Sequence, residues 1–355
     1  MKSLIDIPKK MKALVLEGVG DLRLEEVDVP ELKEGTVLVK LRACGICSSD
    51  IPRVFVTGTY HFPTIPGHEF SGEIAAVGDG VDESLLGRRT CVFPMLPCRK
   101  CKACQKEEWA QCSSYSYFGS RQDGGMAEYL VAPVWNLVPF ADSVPFEQAA
   151  LCEPSAVSLH AVKLGKVAEG DNVLVIGTGA IGLLIASFAK ARSGKNVAVA
   201  GRSADKLAYA SKLGFETIDT SKEDISEGAK RIFGDCADVT IEAVGSNEAI
   251  NNAVKATAAL GRIVFVGNPY GDLNMDKNTY WSILRKQINI TGSWNSSFNS
   301  RINDWKEAVS EFESGRIDLG GLVTQTYTLE EYEKAFADVR DKNTFTLRVV
   351  FKMGD

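Results

Sequence analysis

The sequence predicts an α/β protein with two domains, one rich in β-strands and one built on a doubly wound parallel sheet. Three observations lead to this prediction. Short runs of strand-like residues separated by Gly and Pro fill the first part of the chain, as in an antiparallel, partly open β-domain. Between 172 and 200, a strand, a glycine-rich turn, a helical pattern and a second strand follow one another. The length of 355 residues suffices for two hydrophobic cores.

The composition excludes several classes of function. The chain is 45% hydrophobic and 24% charged, as is usual for soluble globular proteins. Its formal net charge of −6 argues against nonspecific nucleic-acid binding, which requires a basic face. The sequence has no apolar run of about 18 residues and no signal peptide in 1–11. With 9 cysteines and no export signal, we expect a cytoplasmic protein whose thiols are reduced or bind metal, without membrane or nucleic-acid partners.

The spacing of apolar residues predicts the secondary structure in more detail. The sequence looks helical from about 146, and Glu153 before Pro154 fits the first turn of a helix, which would place its carboxylate at the helix N-terminus. The predicted strands are three runs within 11–41, then 70–77, 89–93, 172–176, 196–200, 239–242, 262–267 and 288–292. Helices are predicted at 303–314 and 329–340, and a last strand, T-L-R-V-V-F-K, is expected to return to the first domain.

A thiol and an imidazole–carboxylate pair stand out in the first domain. Cys47 opens the segment C-S-S-D, and His68 with Glu69 lies in P-G-H-E, in a chain with only 3 histidines. Thiolate and imidazole together suit zinc, and a zinc held by three side chains keeps one position open for chemistry. The alternative is a buried cysteine and a hydrogen-bonded core histidine.

A loop with four cysteines follows the pattern C-x2-C-x2-C-x7-C and comprises Cys98, Cys101, Cys104 and Cys112. The loop is rich in Lys and Gln, so no apolar core accounts for its thiols. Four thiolates satisfy a closed tetrahedral zinc site, which can replace a missing core. An iron–sulfur cluster is the alternative, but such runs place the fourth cysteine differently and usually follow it with proline, whereas Ser113 follows here.

The segment G-T-G-A-I-G directly follows a predicted buried strand and opens a predicted helix. This context identifies a Rossmann-type dinucleotide site, which the motif alone would not establish. Gly177 makes the tight turn, Gly179 lets the backbone approach the pyrophosphate, and Gly182 permits close packing of helix and strand. Ala180 and Ile181 then lie at the helix N-terminus, which faces the phosphates.

The end of the second strand of this unit predicts which cofactor is preferred. NAD-selective sites carry Asp or Glu here to bind the ribose hydroxyls. This chain has Gly201 instead, followed by Arg202 and Ser203, with Lys206 nearby. The missing acid removes repulsion of a 2′-phosphate, and an arginine can donate to it in a bidentate manner. We therefore expect NADP to be favoured over NAD; the alternative is a solvated arginine in a turn.

The order of several motifs resembles the zinc-containing medium-chain dehydrogenases. These motifs are C-x-S-D, G-H-E-F-S-G, the four-cysteine loop, D-G-G-M-A-E-Y, L-C-E-P and G-T-G-A-I-G. Within the family, D-I-P-R-V-F, G-S-R-Q-D-G-G and I-L-R-K followed by G-S-W resemble the polyol and polyol-phosphate branch. The resemblance implies a GroES-like catalytic domain with both zinc sites over 1–153 and 296–355. It also implies a Rossmann cofactor domain over 154–295.

Carried over residue by residue, the resemblance implies a catalytic zinc ligand set. Cys47, His68 and Glu153 would hold the ion, and Glu69 would be an alternating ligand or would lie next to the ligands. Cys152 could in principle replace Glu153, since cysteine is the third ligand in alcohol dehydrogenase itself. The L-x-E-P pattern favours Glu153.

The resemblance also implies roles around these ligands. Ser49 would relay the substrate proton, Asp50 would orient His68, and Arg348 would contact the cofactor. Two departures from the family concern this segment. Ser48 stands where a glycine is usual, and Pro52 stands where many members carry a histidine. The proton would therefore leave through ribose hydroxyls, water or Glu153.

Together these features predict an oxidoreductase that interconverts a secondary alcohol of a polyol, or of a polyol phosphate, and its ketone. Zinc would stabilise the alkoxide and the nicotinamide would take the hydride. Arg53 and Arg121 are candidates to bind a substrate phosphate, or else are surface charges. The rival functions are a dehydrogenase for unphosphorylated polyols, a zinc-independent quinone reductase and a non-catalytic zinc-loop binding protein.

Two further expectations concern stoichiometry. Because the sequence contains two independent ligand sets, we expect two zinc ions per subunit. The last strands of the predicted parallel sheet would leave an apolar edge, so we expect a homodimer or homotetramer.

Overall fold

The computed structural model describes residues 2–194, 196–269 and 271–354. The chain divides into two compact units, which are described separately below. Unit 1 comprises 1–153 and 297–355, and unit 2 comprises 154–296.

The strands are β1 Lys2–Ser3, β2 Lys10–Gly18, β3 Asp21–Asp28, β4 Thr36–Gly45, β5 Glu69–Val77, β6 Arg89–Val92, β7 Met95–Leu96, β8 Ser116–Tyr117, β9 Tyr129–Pro133, β10 Leu137–Pro139, β11 Val173–Ile176, β12 Val197–Gly201, β13 Glu216–Asp219, β14 Ala237–Glu242, β15 Thr257–Phe265, β16 Asn289–Gly292, β17 Val323–Tyr327 and β18 Arg348–Lys352. The α-helices are α1 Asp50–Pro52, α2 Lys102–Gln105, α3 Phe146–Ala149, α4 Cys152–Leu164, α5 Ala180–Ser193, α6 Ala204–Lys212, α7 Ile225–Phe233, α8 Asn247–Ala256, α9 Lys277–Lys286, α10 Asp304–Glu313 and α11 Tyr332–Arg340. A π-helical turn spans Arg53–Thr57, and 3-10 turns span Glu83–Leu85, Trp109–Gln111, Val134–Asn136, Gly320–Leu322 and Leu329–Glu331.

Unit 1 is organised around a mainly antiparallel sheet with the strand order β10-β6-β5-β4-β18-β17, on which β9 pairs with β4 and β1 with β5. The predicted return of the C-terminal strand is confirmed, because Phe351 of β18 lies opposite Cys44 of β4. Phe70 and Phe351 are buried in the core of this unit together with Phe336 of α11. The C-terminal segment therefore completes the core that the N-terminal strands begin.

Unit 2 contains a six-stranded parallel sheet with the order β13-β12-β11-β14-β15-β16. Numbered within the unit, this order is 3-2-1-4-5-6, the doubly wound Rossmann topology. Val173, Leu174 and Val175 of β11 are fully buried, as expected for a central strand covered on both faces. The predicted fold class, a GroES-like β-rich domain with a Rossmann domain, is confirmed.

Sequence periodicity misplaced the start of one strand and missed seven, namely β1, β7, β8, β9, β10, β13 and β17. β13 reads E-T-I-D and β17 reads V-T-Q-T-Y, so neither contains the apolar run by which the other strands were predicted. β15 begins at Thr257, directly after α8, instead of at the predicted 262. In these strands pairing with neighbouring strands decides the conformation, because the local pattern is too polar or too short to do so. Within the described ranges, no helix is long and apolar enough to cross a membrane.

Candidate metal centre and cofactor-binding site

The turn after β4 places Cys47 against Asp50. The N–H of Asp50 donates to the carbonyl of Cys47 over 2.9 Å. In return, the N–H of Cys47 donates to Oδ2 of Asp50 over 3.0 Å. An Asp side chain that bonds nearby backbone in this way stabilises a turn. The turn thus holds Cys47 and keeps the carboxylate of Asp50 fully buried.

Pairing between β4 and β5 brings His68 and Glu69 to Cys47. Gly45 lies opposite Glu69 in this antiparallel pair. One ligand atom each of Cys47, His68 and Glu69 lies within 4.8 Å of the others. Gly67 precedes His68 with φ +95°, and a Cβ there would lie 2.7 Å from the buried Sγ of Cys44. Glycine is therefore required before the histidine, and Cys44 is a thiol of the buried core.

Within the group of Cys47, Asp50 and His68, each charged side chain stabilises the ionised form of its oppositely charged neighbours. Nδ1 of His68 lies 3.4 Å from Oδ1 of Asp50. Burial lowers the pKa of His68, but the charges of Asp50 and Cys47 outweigh burial and raise it well above its usual value. Burial raises the pKa of Cys47, yet His68 outweighs it and brings the pKa of that thiol down to about 6. Asp50 thus lies where it can orient His68, and its role in doing so stays a prediction.

For the two glutamates, burial outweighs the nearby opposite charges and raises the pKa of each carboxyl group. Burial raises the pKa of Glu69 to about 8, against the charge of Arg348. Burial likewise raises the pKa of Glu153 to about 7, against the charge of His68. Carboxylates in such an environment ionise readily only when a cation compensates them.

The donor set fits a zinc ion. Both carboxylate oxygens of Glu69 are buried and make no hydrogen bond of good geometry within the described residues. Buried polar atoms of this kind normally have partners. A thiolate, an imidazole and a carboxylate, with a further carboxylate on Glu153, are ligands that zinc accepts.

Glu153 and Cys152 begin α4 and point to different partners. The carboxylate of Glu153 accepts a 3.2 Å hydrogen bond from the hydroxyl of Tyr117. Glu153 is not part of the group in which Cys47, His68 and Glu69 lie within 4.8 Å of each other. The thiol of Cys152 contacts the backbone carbonyl of Trp305 over 3.9 Å. In this arrangement Glu69 is the glutamate that lies within reach of the thiol and the imidazole, and the ligand role of Glu153 stays a prediction.

Ser49 lies next to Cys47, and a cation lies next to Ser49. The hydroxyl of Ser49 donates to Sγ of Cys47 over 3.2 Å. Nη1 of Arg53 donates to Oγ of Ser49 over 2.8 Å and lies 3.3 Å from Oδ1 of Asp50. The side chain of Arg53 is 27% exposed. Sequence reasoning singled out both Arg53 and Ser49 but did not predict this contact.

Arg348, predicted to contact the cofactor, lies in unit 1 beside the metal-ligand group. Its side chain is 5% exposed, and Nη1 lies 3.1 Å from Oε1 of Glu69. Nη1 also donates to the carbonyl of Ile46 over 3.1 Å. Arg348 therefore compensates the charge of Glu69 in this unit, and its role toward a cofactor stays a prediction.

Two further side chains extend the site. Arg121 donates to the hydroxyl of Tyr60 over 3.0 Å, and its guanidinium lies 4.6 Å from the ring centroid of Tyr115. Tyr115 packs edge-on against Tyr117, whose ring lies 5.7 Å from that of His68. Sequence reasoning missed Tyr117, because S-Y-S-Y carries no motif that distinguishes it from a core tyrosine.

The four-cysteine loop lies between the paired strands β7 and β8. Ligand atoms of Cys98, Cys101, Cys104 and Cys112 all lie within 4.8 Å of one another. All 9 cysteines are free, so these four are not paired in disulfides. Backbone N–H groups, first that of Cys104, lower the pKa of Cys101 to about 5, which favours the thiolate that binds metal. The four thiols therefore lie close enough together to share one ion, and the closed tetrahedral zinc site stays a prediction.

The glycine motif of unit 2 joins β11 to α5. Gly177 has φ +125°, a conformation that favours glycine. A Cβ on Gly182 would lie 1.9 Å from the carbonyl oxygen of Gly177, so helix and strand approach as closely as predicted. Gly179 is the N-cap of α5, and Ala180 and Ile181 are its first residues. Their backbone N–H groups are those that an anion at this helix end would meet.

At the end of β12, the structure gives a second reason for Gly201. A Cβ there would lie 2.6 Å from Cγ2 of Thr178. Nη1 of Arg202 lies 3.4 Å from Oε2 of Glu248, an acidic residue that sequence reasoning did not consider. Ser203 is the N-cap of α6, and burial lowers the pKa of Lys206. The glycine is thus explained in part by packing.

The fold and these two sites define a class of protein, a metal-dependent oxidoreductase that binds a dinucleotide. Residues 33–142 match the family model of the alcohol dehydrogenase GroES-like domain. Residues 180–314 match that of the zinc-binding dehydrogenase. The chain belongs to the zinc-binding alcohol dehydrogenase family.

Comparison with similar proteins indicates which branch of this family the chain resembles. Galactitol 1-phosphate 5-dehydrogenase of Escherichia coli K12 is 34% identical over 333 residues, which cover 93% of this chain and 96% of the relative. The crystal structure of galactitol-1-phosphate dehydrogenase from Escherichia coli has a TM-score of 0.90 at 33% identity, covering 97% of this chain and all of that one. The chain is therefore a zinc-dependent dehydrogenase of the alcohol and polyol type.

Two other solved structures contain a nicotinamide cofactor. A putative zinc-binding dehydrogenase from Sinorhizobium meliloti 1021, bound to NADP, has a TM-score of 0.89 at 26% identity, covering 98% of this chain and all of that one. A short chain alcohol dehydrogenase from Escherichia coli CFT073, complexed with NADH, has a TM-score of 0.90 at 27% identity, with 98% and 100% covered. A nicotinamide cofactor is thus a property of this family, and relatives of similar identity bind either form.

Proposed function

We propose that this protein interconverts a secondary alcohol of a polyol phosphate and the corresponding ketose phosphate, with hydride transfer to or from NADP. The observation that carries the proposal is the position of Arg53, a partly exposed cation that donates to Ser49 next to Cys47. An arginine can donate to a phosphate in a bidentate manner. The name of the relative galactitol 1-phosphate 5-dehydrogenase, which this chain matches over 96% of its length, supports the same substrate class.

Cys47, His68, Glu69 and Glu153 are the residues that would hold a catalytic zinc. When bound, the ion supplies Lewis-acid chemistry that lowers the pKa of an alcohol. Ser49, 3.2 Å from Sγ of Cys47, would take up the proton of the substrate alcohol while it releases its own hydroxyl proton in the oxidative direction, with the reverse exchange in the reductive one. Because Pro52 cannot take up a proton and Arg53 only donates, the proton that Ser49 releases would go to water or to Glu153.

Arg202 supports NADP as the preferred cofactor, because it directly follows β12, at the position where the 2′-phosphate would lie. Its partner Glu248 reduces this preference, since the carboxylate competes with the phosphate for the guanidinium. Gly201 supports the same preference by leaving out the acid that binds a ribose diol. The ratio of kcat/KM for NADPH to that for NADH tests this part of the proposal.

Two zinc ions per subunit account for the two ligand groups. Elemental analysis of the purified protein measures the total, and the Cys47→Ala variant should lose one equivalent together with activity. A wild-type protein with one zinc, or full activity in Cys47→Ala, would overturn the catalytic metal assignment.

A homodimer, or a homotetramer built from such dimers, follows from the free edge of the unit 2 sheet. β16 is the last strand in the sheet order. Ile290 on it is 40% exposed and Trp281 on α9 is 54% exposed. A second copy of the chain could cover this edge through a twofold axis. Ile290→Lys should then shift the mass measured by light scattering toward the monomer, and a monomeric wild-type protein at micromolar concentration would contradict the proposal. The predicted cytoplasmic location stays a prediction.

The substrate is tested directly by assaying a panel of ketose phosphates and their unphosphorylated ketoses with NADPH and with NADH. We expect higher kcat/KM for a ketose phosphate. Equal or higher kcat/KM for an unphosphorylated ketose would favour a dehydrogenase for plain polyols.

A further inference from the structure

Tyr117 is a polar side chain at the metal centre to which neither sequence motif nor proposed mechanism gives a task. Its hydroxyl donates to Oε1 of Glu153 over 3.2 Å. Its ring lies 5.7 Å from that of His68, with the two planes tilted by 60°. The residue is 8% exposed. Tyr117 therefore lies beside the imidazole with its ring and contacts the carboxylate of Glu153 with its hydroxyl.

We propose that Tyr117 is a positioning residue for Glu153, holding one carboxylate oxygen so that the other is presented to the metal. The inference rests on the proposed zinc centre at Cys47. Groups that hydrogen-bond metal ligands fix the orientation of those ligands and contribute to metal affinity.

The contact between Tyr117 and Glu153 matters because Glu69 and Glu153 are both candidate ligands of the same metal. Glu69 already lies within 4.8 Å of Cys47 and His68, but it also faces the guanidinium of Arg348 at 3.1 Å. Each carboxylate is therefore held by one neighbour, Glu69 by a cation and Glu153 by a phenol. The strength of these two contacts decides how the carboxylates share the metal.

The backbone around Tyr117 is built to keep the hydroxyl in place. Tyr117 of β8 lies opposite Met95 of β7. Its carbonyl accepts the N–H of Arg121 over 2.9 Å, which closes a tight turn behind it. Its ring is packed edge-on by Tyr115. Backbone pairing with β7, the turn after Tyr117 and the neighbouring ring therefore restrict the position of this residue.

The four-cysteine loop supports the same ribbon. The loop leaves β7 after Leu96 and re-enters β8 at Ser116. Near its ends, the N–H of Cys98 donates to Sγ of Cys112 over 3.3 Å. A metal bound by these thiolates would tie the two ends of the ribbon together. The loop thus stabilises the strand that carries Tyr117 to Glu153.

The test compares Tyr117→Phe, which removes only the hydroxyl, with Tyr115→Phe as the matched control on the same ribbon. Zinc affinity is measured by competition with a chromogenic chelator. Release from this centre is identified with Cys47→Ala, which lacks the centre. We expect Tyr117→Phe to weaken zinc binding at this centre by about 10-fold, and Tyr115→Phe to leave it unchanged. The absorption spectrum of the cobalt-substituted protein should change only in Tyr117→Phe.

A double-mutant cycle separates positioning from general support of the fold. In the Glu153→Gln background, Tyr117→Phe should cause less than about 2-fold further loss, because the carboxylate that it positions is gone. An unchanged zinc affinity and cobalt spectrum in Tyr117→Phe, or an equal loss in both backgrounds, would overturn the inference. Should Tyr117→Phe not fold, 3-fluorotyrosine at position 117 keeps shape and hydroxyl, and loss of zinc affinity there would also contradict it. Full zinc content in Cys47→Ala would instead reject the proposed centre itself.

Discussion

The guanidinium of Arg53 donates a 2.8 Å hydrogen bond to the hydroxyl of Ser49. Its charge is matched by Asp50, a carboxylate with no exposed surface. Arg53 can therefore keep its charge near Cys47 while part of its side chain remains open to solvent. An arginine donates to a phosphate but cannot pass on a proton at neutral pH.

Replacing Arg53 should therefore separate substrate binding from proton transfer. For Arg53→Gln, we expect KM for a ketose phosphate to rise by roughly 10- to 100-fold, as for the loss of a charged hydrogen bond. KM for the unphosphorylated ketose should change little. Steady-state kinetics with both substrates provide the measurement, and Arg121→Gln is the control from the other candidate arginine. A similar loss of kcat with both substrates would show that Arg53 serves Ser49 and not a phosphate.

The cofactor preference should reverse in a variant that carries a carboxylate at position 201 and also provides space for it. A carboxylate at 201 needs space that Thr178 occupies. We expect Thr178→Ala with Gly201→Asp and Arg202→Ile to shift the NADPH to NADH ratio of kcat/KM toward NADH by roughly 10- to 100-fold. Gly201→Asp without Thr178→Ala should bind both cofactors less well. Zinc content should remain unchanged.

Replacing Glu248, the partner of Arg202, should shift the cofactor preference in the opposite direction. Glu248→Gln removes the carboxylate that lies 3.4 Å from the guanidinium. The same ratio of kcat/KM should then move toward NADPH, since the arginine no longer has a competing anion. The effect should be small, on the order of 1 kcal/mol or less, because both side chains are exposed. A shift toward NADH would mean that Arg202 does not meet the cofactor.

Loss of one thiolate from the four-cysteine loop should affect stability before chemistry. In Cys101→Ser, three thiolates remain in a loop without an apolar core, and metal binding no longer compensates the ordering of that loop. We expect a large loss of soluble protein, measured as yield and as the unfolding temperature. Lys102→Ser, at the next position in the loop, is the control and should behave as wild type. A Cys101→Ser protein that is stable and fully active would contradict the structural role of this site.

The metal-free protein should become less stable as pH rises. Burial raises the pKa of Glu153 from 4.5 to about 7, so the folded state retains a proton that the unfolded chain loses. Stability from this group is present below about pH 4.5 and is lost as pH rises through about 7, a difference on the order of 3 kcal/mol. Cys47 opposes this trend above about pH 6, because its pKa is lowered.

Glu153→Gln isolates the contribution of that carboxylate. We expect the chelator-treated variant to gain stability relative to chelator-treated wild type as pH rises from about 5 to about 8. Urea unfolding of both proteins across this range gives the comparison. Parallel pH curves would show that Glu153 ionises as freely in the folded protein as in the unfolded chain.

Local spacing in the sequence was enough to predict the ligand types and the dinucleotide turn. The four cysteines lie within one short loop, so chain connectivity alone keeps their thiols close together. Gly177 and Gly182 likewise belong to one strand–turn–helix unit, and the 1.9 Å approach that they permit is a property of that unit. Where the chemistry is encoded in neighbouring residues, physical rules for turns and ligands suffice.

Contacts between distant segments could be decided only by the tertiary structure. Tyr117 reaches Glu153 across 36 positions, and Arg348 reaches Ile46 across 302. The periodicity of apolar residues does not predict such contacts. They depend on which strands pair, in which register, and on the direction in which each side chain leaves its strand. Thr178 adds an example at close range, since its methyl group fills the space beside Gly201 only after β11 and β12 have paired. The sequence alone determined which chemical groups this protein brings to its sites, and packing determined which of them touch.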